Sequence, residues 1–280
     1  MRRSRNSSKP ITDKPVIIHP PSPRDIEIFN ILRWHRFLPS HWVRHHFPAA
    51  RTSQDFITHL GHLREDQNAY LKWSDAPLNI KHALGRHGIY ELAPRGYKAI
   101  DVKPPRLSKQ EHPHELIVSL HECSLKFQAR ANNLEFQFLD IEEYRLPSGS
   151  RWVPDGHPMI IGDTLIHSEI ERRKYNESPL DTEEKLVKAH EYMKARLHRH
   201  DGFDKAFIAF LSATQGRTET LKRRTEEKFG RVSFFLFGTT QDWAYDSPLP
   251  DPKVPLVPVW ERVGHDPMDL FQPATKGGAQ

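Results

Sequence analysis

The stretch 151-RWVPDGHPMIIGDTLIHSEIERRKYNESPLDTEEKL-186 decides how the back half of this chain reads. Asp155 follows a proline at the end of one short apolar run, Trp152–Val153. After Met159–Ile161, a further run, Thr164–Ile170, delivers Glu169 and Glu171 and is followed by three cations. Residues two apart on a strand point to the same face, so Glu169 and Glu171 share a side. If the two segments are hairpin partners, Asp155 approaches them. Three carboxylates converging in reach of water repel one another unless a hard divalent cation relieves the repulsion. Mg²⁺ or Mn²⁺ suits that oxygen set, and metal-bound water is a nucleophile for phosphodiester hydrolysis. The plainer alternative is a polar strand face with Glu171 paired to Arg172, Arg173 or Lys174.

Working outward, the pattern around this stretch alternates helix and strand. A helix spans about 114–131 with Leu116, Ile117, Leu120 and Leu125 on its inner face, and a strand follows at 134–139. Asp181 as N-cap with Glu184 three residues on starts a helix to about Leu197. Strand 206–211, helix 217–229 and strand 232–237 complete an α/β (α+β) layout with a mixed sheet. The region 244–280 is dense in proline and reads as an extended C-terminal tail wrapping the domain.

The front of the chain has a different character. Residues 1–22 read as a disordered basic arm. Ser22-Pro23-Arg24-Asp25 is a helix start, with Ser at the N-cap, Pro in the first turn and an acid matched to the helix dipole. A second short helix starts at Ser40, and a third is capped by Thr52 or Ser53, with Phe56, Ile57, Leu60 and Leu63 as its apolar stripe. Extended segments follow near 70–73 and 88–92. Three helices and a β-hairpin over 23–100 are the plan of a winged helix-turn-helix. The proline-rich segment 101–113 reads as a linker, so the 24–100 and 114–243 regions are expected to form separate cores.

Charge supports a polyanionic partner at the front. The net charge is +5. Residues 1–20 carry +4, residues 21–105 carry another +4 and eight histidines, and residues 106–280 carry −3. Double-stranded DNA is the expected partner, through phosphate contacts. In a winged helix the third helix enters the major groove, which makes Arg51, Thr52, Gln54, Thr58, His59 and His62 candidate contacts, with Arg86 and His87 on the wing. No apolar run spans a bilayer and no signal-peptide core is present, so a cytoplasmic protein without a membrane partner is expected. The single cysteine, Cys123, excludes an internal disulfide and a thiolate-rich zinc site. His114, Glu115, His121, Glu122 and Cys123 lack metal-site spacing, and no zinc is expected. The trio His41, His45 and His46 reads as lining the DNA side or solvent, and Cys123 as a small buried residue without a base partner. The absence of a P-loop or dinucleotide fingerprint leaves no basis for a nucleotide cofactor.

Three resemblances sharpen this reading. The order helix, strand, "P-D", strand with "E-x-E", helix resembles the restriction-endonuclease-like superfamily, whose signature is P-D…(D/E)-x-K. The resemblance implies Asp155 and Glu169 as metal-binding acids and Glu115 or Glu122 as the helix acid. Glu171 stands where that superfamily usually has lysine, and Lys185, in the next helix, is a candidate migrated substitute. The stretch 90-YELAPRGYKAI-100 is similar to the end of many winged helices, which run through "L-T-x-x-G" into a short helix; here Ala93 replaces the threonine. The winged helix, "P-D", the acidic strand end, Lys185-Leu186…Tyr192 and Thr214…Arg217…Leu221 together resemble the replication-relaxation family of plasmids and phages over roughly 24–243. That resemblance implies a DNA-binding protein of a mobile element, in replication, relaxation or processing of DNA, and the endonuclease-like resemblance adds a metal-dependent nuclease site at Asp155, Glu169, Glu171 and Lys185. The alternatives are a non-catalytic DNA-binding regulator that keeps an inactive endonuclease-like domain, and a protein–protein module; a homodimer is compatible with either.

Overall fold

Three parallel strands form the middle of the larger sheet in a computed structural model that describes residues 20–47, 52–65, 68–74, 88–105, 112–139, 152–171, 179–196, 199, 202–212, 214–239, 251–257 and 259–271. They are β6 (Thr164–Ile170), β7 (Lys205–Ser212) and β8 (Val232–Thr239), with Glu169 opposite Phe210 and Phe210 opposite Phe237. Strands buried on both faces need no polar alternation, which explains the apolar runs of β7 and β8, whereas β6 buries the polar His167, Ser168 and Glu169. One set of side chains (Leu165, Ile208, Phe210, Phe235, Phe237) packs against the crossover helices α6 (Pro179–Lys194) and α7 (Gln215–Phe229) through Leu186, Ala189, Tyr192 and Leu221. The intervening set (Ile166, Ile170, Ala209, Leu211, Leu236) meets Val118, Leu125 and Ala129 of α5 (His112–Ala131).

β5 (Met159–Ile161) pairs antiparallel with β6, and β4 (Phe136–Phe138) with β5. On the far side β9 (Trp260–Val263) pairs antiparallel with β8 and β10 (His265–Met268) with β9. The result is a seven-stranded mixed sheet of order β10-β9-β8-β7-β6-β5-β4. The C-terminal region is therefore no mere wrapping tail: Val257 and Trp260 are buried in the core against α5 and the sheet. Trp152–Val153 is not a strand. Instead the amides of Asp155 and Gly156 both donate to Ser168 O, at 3.0 and 3.2 Å, docking the "P-D" loop beside the end of β6.

The front region holds α1 (Pro23–His35), β1 (Phe37–Pro39), α2 (Ser40–His45), α3 (Ser53–Arg64), β2 (Leu71–Trp73), β3 (Ile89–Leu92) and α4 (Pro94–Ala99). Ser22 and Asp25 cap α1 reciprocally: the Ser22 amide donates to Asp25 Oδ2 at 2.7 Å and the Asp25 amide to Ser22 Oγ at 3.3 Å. The small antiparallel sheet has the order β1-β3-β2. Ala93 caps α4 with no side-chain hydrogen bond. A Cβ on Gly96 would lie 2.4 Å from Tyr70 O, so the helix can approach β2 this closely only with glycine there.

The expectation of separate cores does not hold. Helix α5 is buried on two sides: Leu116, Leu120, Cys123 and Phe127 complete the front core with Leu32, Trp42 and Phe56, while Val118, Leu125 and Ala129 face the large sheet. A helix with apolar positions nearly all round is one packed on all sides. Hydrogen bonds cross the same seam, from Ser119 Oγ to His35 O and from Arg130 Nη2 to His45 O at 2.9 Å. The described residues form a mixed α+β fold with seven helices. No helix among them is long and apolar enough to cross a membrane.

Candidate functional site

Two carboxylates and a lysine meet at the carboxyl end of β6. Glu169 lies on the face of β6 turned toward α6, because it shares parity with Leu165 in the α6-facing core. Asp155 arrives from the loop docked on Ser168, and Lys185 from α6. The Lys185 Nζ donates at 2.8 Å to Asp155 Oδ2 and at 2.8 Å to Glu169 Oε2. The remaining bonds fix the carboxylates. Trp152 Nε1 donates to Glu169 Oε1 at 2.6 Å, and the Ile170 amide donates to Asp155 Oδ2 at 3.0 Å. His114 Nε2 lies 3.1 Å from Ile170 O, to which it donates, and 3.5 Å from Asp155 Oδ2. The exposures are 11 % for Asp155, 2 % for Glu169 and 41 % for Lys185, so the cation is the part that solvent or a ligand meets.

The two acids are pushed apart. Burial raises the Glu169 carboxyl, and the negative charge of Asp155 raises it further against the pull of Lys185. Burial also opposes ionisation of Asp155, but the hydrogen bond from His114 and the charge of Lys185 outweigh it and hold this carboxyl low. Burial alone would lower Lys185; Glu169 and Asp155 raise it instead. Two carboxylates thus share one lysine charge, and of their four oxygens only Asp155 Oδ1 has no hydrogen-bond donor among the described residues.

Among the sequence candidates, Asp155, Glu169 and Lys185 come together. Glu171 keeps the parity of Glu169, but its Oε1 accepts from Arg217 Nε at 2.5 Å, at the first turn of α7. The neighbours Arg172, Arg173 and Lys174 lie outside the described residues. The helix acids do not join the group: Glu115 pairs with Arg36 at 2.5 Å, and Glu122 is buried beside His35 and accepts from the His157 amide at 2.7 Å. His114 and Trp152 are the residues that sequence reasoning missed. His114 stands one position from Glu115, and Trp152 three before Asp155, so proximity to the motif was their only signal. The motif Thr214…Arg217…Leu221 becomes an N-cap, the partner of Glu171 and a core residue. In Lys185-Leu186…Tyr192, Leu186 and Tyr192 are buried beneath the site, where Tyr192 Oη lies 3.3 Å from His167 Nε2.

The front-region candidates separate into three groups. Thr52, Gln54, Thr58 and His62 are exposed on α3, where Thr52 Oγ1 also accepts from the Asp55 amide at 3.1 Å and His62 Nδ1 lies 3.1 Å from Glu65 Oε1. His59 turns toward α1, with Nε2 2.6 Å from Asp25 Oδ1. Arg51, Arg86 and His87 lie outside the described residues.

A second cluster sits where α1, α2 and α5 meet. One ring nitrogen each of His35 and His46 and the Sγ of Cys123 lie within 4.8 Å of one another. Cys123 therefore has a base beside it after all, His46 Nε2 at 3.3 Å. Its three residues are far apart in sequence, so spacing within one segment could not reveal it.

No family model matches this chain, and neither does any curated protein or solved structure.

Proposed function

We propose that this protein binds duplex DNA through its front region and hydrolyses phosphodiester bonds with a divalent metal at Asp155 and Glu169. The observation that carries the reading is the single lysine, Lys185, delivered from α6 to both carboxylates at 2.8 Å each. That grouping supports an endonuclease-like site of the P-D…(D/E)-x-K kind whose lysine has moved from the strand to the next helix. The order α1, β1, α2, α3, β2, β3, with β1 and β2 flanking β3, supports a winged helix-turn-helix. Membership of the replication-relaxation family, and with it a place in plasmid or phage DNA processing, belongs to the same proposal.

Asp155 and Glu169 would hold Mg²⁺ or Mn²⁺, which supplies charge neutralisation at the phosphate and a bound water of lowered pKa. The residues of the chain do the positioning. Trp152 and the Ile170 amide lock the carboxylate rotamers, so little reorganisation is needed when substrate arrives. Lys185, on the open side of the site, puts a permanent cation where negative charge grows on the phosphoryl oxygens. Arg217 neutralises Glu171, so a third free carboxylate does not repel the DNA backbone.

The competing reading is a DNA-binding regulator without chemistry, and one observation favours it: Lys185 already satisfies both carboxylates from within the chain. Nicking of supercoiled plasmid separates the two. Cleavage that needs Mg²⁺ or Mn²⁺ and is lost in Asp155→Asn, Glu169→Gln and Lys185→Ala supports the nuclease. Salt-sensitive DNA binding by a wild-type chain that never cleaves supports the regulator. Cleavage that persists in Asp155→Asn would remove the site from this place in the fold.

A further inference from the structure

We propose that His35, His46 and Cys123 form a zinc site that fastens the front helices to α5. The three donors come from three elements: His35 ends α1, His46 caps the C-terminus of α2, and Cys123 lies on the face of α5 that completes the front core. This donor set, two imidazoles and a thiolate, is the borderline-soft mixture that zinc takes, whereas Mg²⁺ prefers oxygen. The cluster is thus chemically distinct from the carboxylate site and does not rest on the nuclease reading.

The spacing is near what the ion needs. Zinc bonds of about 2.0–2.3 Å in tetrahedral array put donors roughly 3.3–3.8 Å apart. His46 Nε2 and Cys123 Sγ are 3.3 Å apart, and all three donors are within 4.8 Å, so the ion closes the cluster with a contraction of at most about 1.5 Å. Three protein donors leave the fourth position to water.

The surroundings are those of a supported site. Glu122 Oε2 lies 3.1 Å from His35 Nδ1. Each ring nitrogen has one in-plane direction, so this contact leaves Nε2 as the nitrogen free to take a cation. A carboxylate behind a ligating histidine fixes its tautomer and ring orientation. Phe127 flanks the His46 ring at 4.8 Å and Phe138 the His35 ring at 5.2 Å, which limits both rotation and water entry. Both imidazoles are held neutral: burial lowers His35 to about 3 and lowers His46 well below its usual range. Neutral imidazole is the form that binds metal. Burial raises the Cys123 thiol, while the nearby Lys126 favours the thiolate; a bound cation completes that deprotonation.

Because Cys123 is the chain's sole cysteine, cobalt spectroscopy gives an unambiguous readout. The full-length chain, stripped with chelator and titrated with Co²⁺ and then Zn²⁺, is expected to take one equivalent at the thiolate site. The cobalt form should show a near-ultraviolet thiolate-to-cobalt band that zinc abolishes by displacement. Cys123→Ser should lose the band, His46→Gln should lose the tetrahedral visible bands, and Glu122→Gln should weaken zinc about 10–100-fold. Asp155→Asn should leave all of this unchanged. A folded wild-type chain with no thiolate band overturns the proposal without any variant. So does a band that survives Cys123→Ser, or zinc binding that disappears in Asp155→Asn.

Discussion

Glu122 shows what a buried carboxyl does to the pH dependence of folding. Burial raises it to about 7, and the charge and amide of His157 pull only partly against that. Between the unfolded value of a glutamate and about 7, the folded chain keeps a proton that the unfolded chain has released. Its contribution to stability is therefore full at low pH and is lost as pH rises through that window. Glutamine mimics the protonated form at every pH. The stability of Glu122→Gln relative to wild type should thus climb by up to about 3 kcal/mol between roughly pH 4.5 and 7.5, read by urea unfolding with chelator present. A difference that stays flat with pH would show that Glu122 is ionised in the folded chain. At the other site, Lys185→Met leaves two adjacent carboxylates without their cation. The loss should be about 1–3 kcal/mol at pH 7, and Glu169→Gln added to Lys185→Met should restore part of it, because glutamine is neutral without the proton that burial and Asp155 force on Glu169. Strictly additive losses in that double-mutant cycle would mean the lysine and Glu169 do not interact in solution.

At the level of elements, sequence periodicity was a good guide wherever burial was one- or two-faced and local. The strands at 159–161 and 164–170 fall where their apolar runs put them. Helix α6 begins at Pro179, two residues ahead of Asp181, and α7 begins at Gln215, two ahead of Arg217. Lys185 was visible as a candidate because it stands one turn into a well-signalled helix. What periodicity could not supply was partnership over distance. Glu171 meets Arg217 rather than a metal group, and α5 has two buried sides because two different cores claim it. The C-terminal hairpin was hidden by its prolines, which read as tail although Pro267 sits in the edge strand β10, a position where a missing donor is tolerated. Trp260 in β9 makes the point testable. It is 1 % exposed and packs edge-on to His121 of α5 at 5.8 Å. Trp260→Ala should cost about 3–5 kcal/mol, the range for emptying a buried aromatic site, measured by urea unfolding. A loss below 1 kcal/mol would mean that the hairpin is only loosely attached.

For the whole molecule, the decisive feature is that α5 belongs to both halves. Leu116, Leu120, Cys123 and Phe127 recur at helical spacing on the side that closes the front core, which includes the fully buried Leu32, Trp42 and Leu60. A fragment ending at 105 would expose that core to water. At roughly 25 cal/mol per Å² of apolar surface, leaving several large side chains uncovered is comparable to the entire stability of a small domain. The proline pair Pro104-Pro105 between α4 and α5 suggests a linker in sequence, but a linker marks independence only when few contacts cross it. Here Ser119–His35, Arg130–His45 and the Glu122–His35 contact all cross. We therefore expect residues 20–105 alone to lack a cooperative thermal transition by circular dichroism, and residues 20–131, which include α5, to regain one. The intact chain should unfold with coincident near- and far-ultraviolet transitions. If the 20–105 fragment folds cooperatively at a melting temperature close to that of the full chain, the front region is autonomous and α5 merely leans on it. The DNA binding proposed for it would then be separable from the carboxylate site, and the proposed nuclease would need a flexible rather than a rigid connection to place Asp155 on bound DNA.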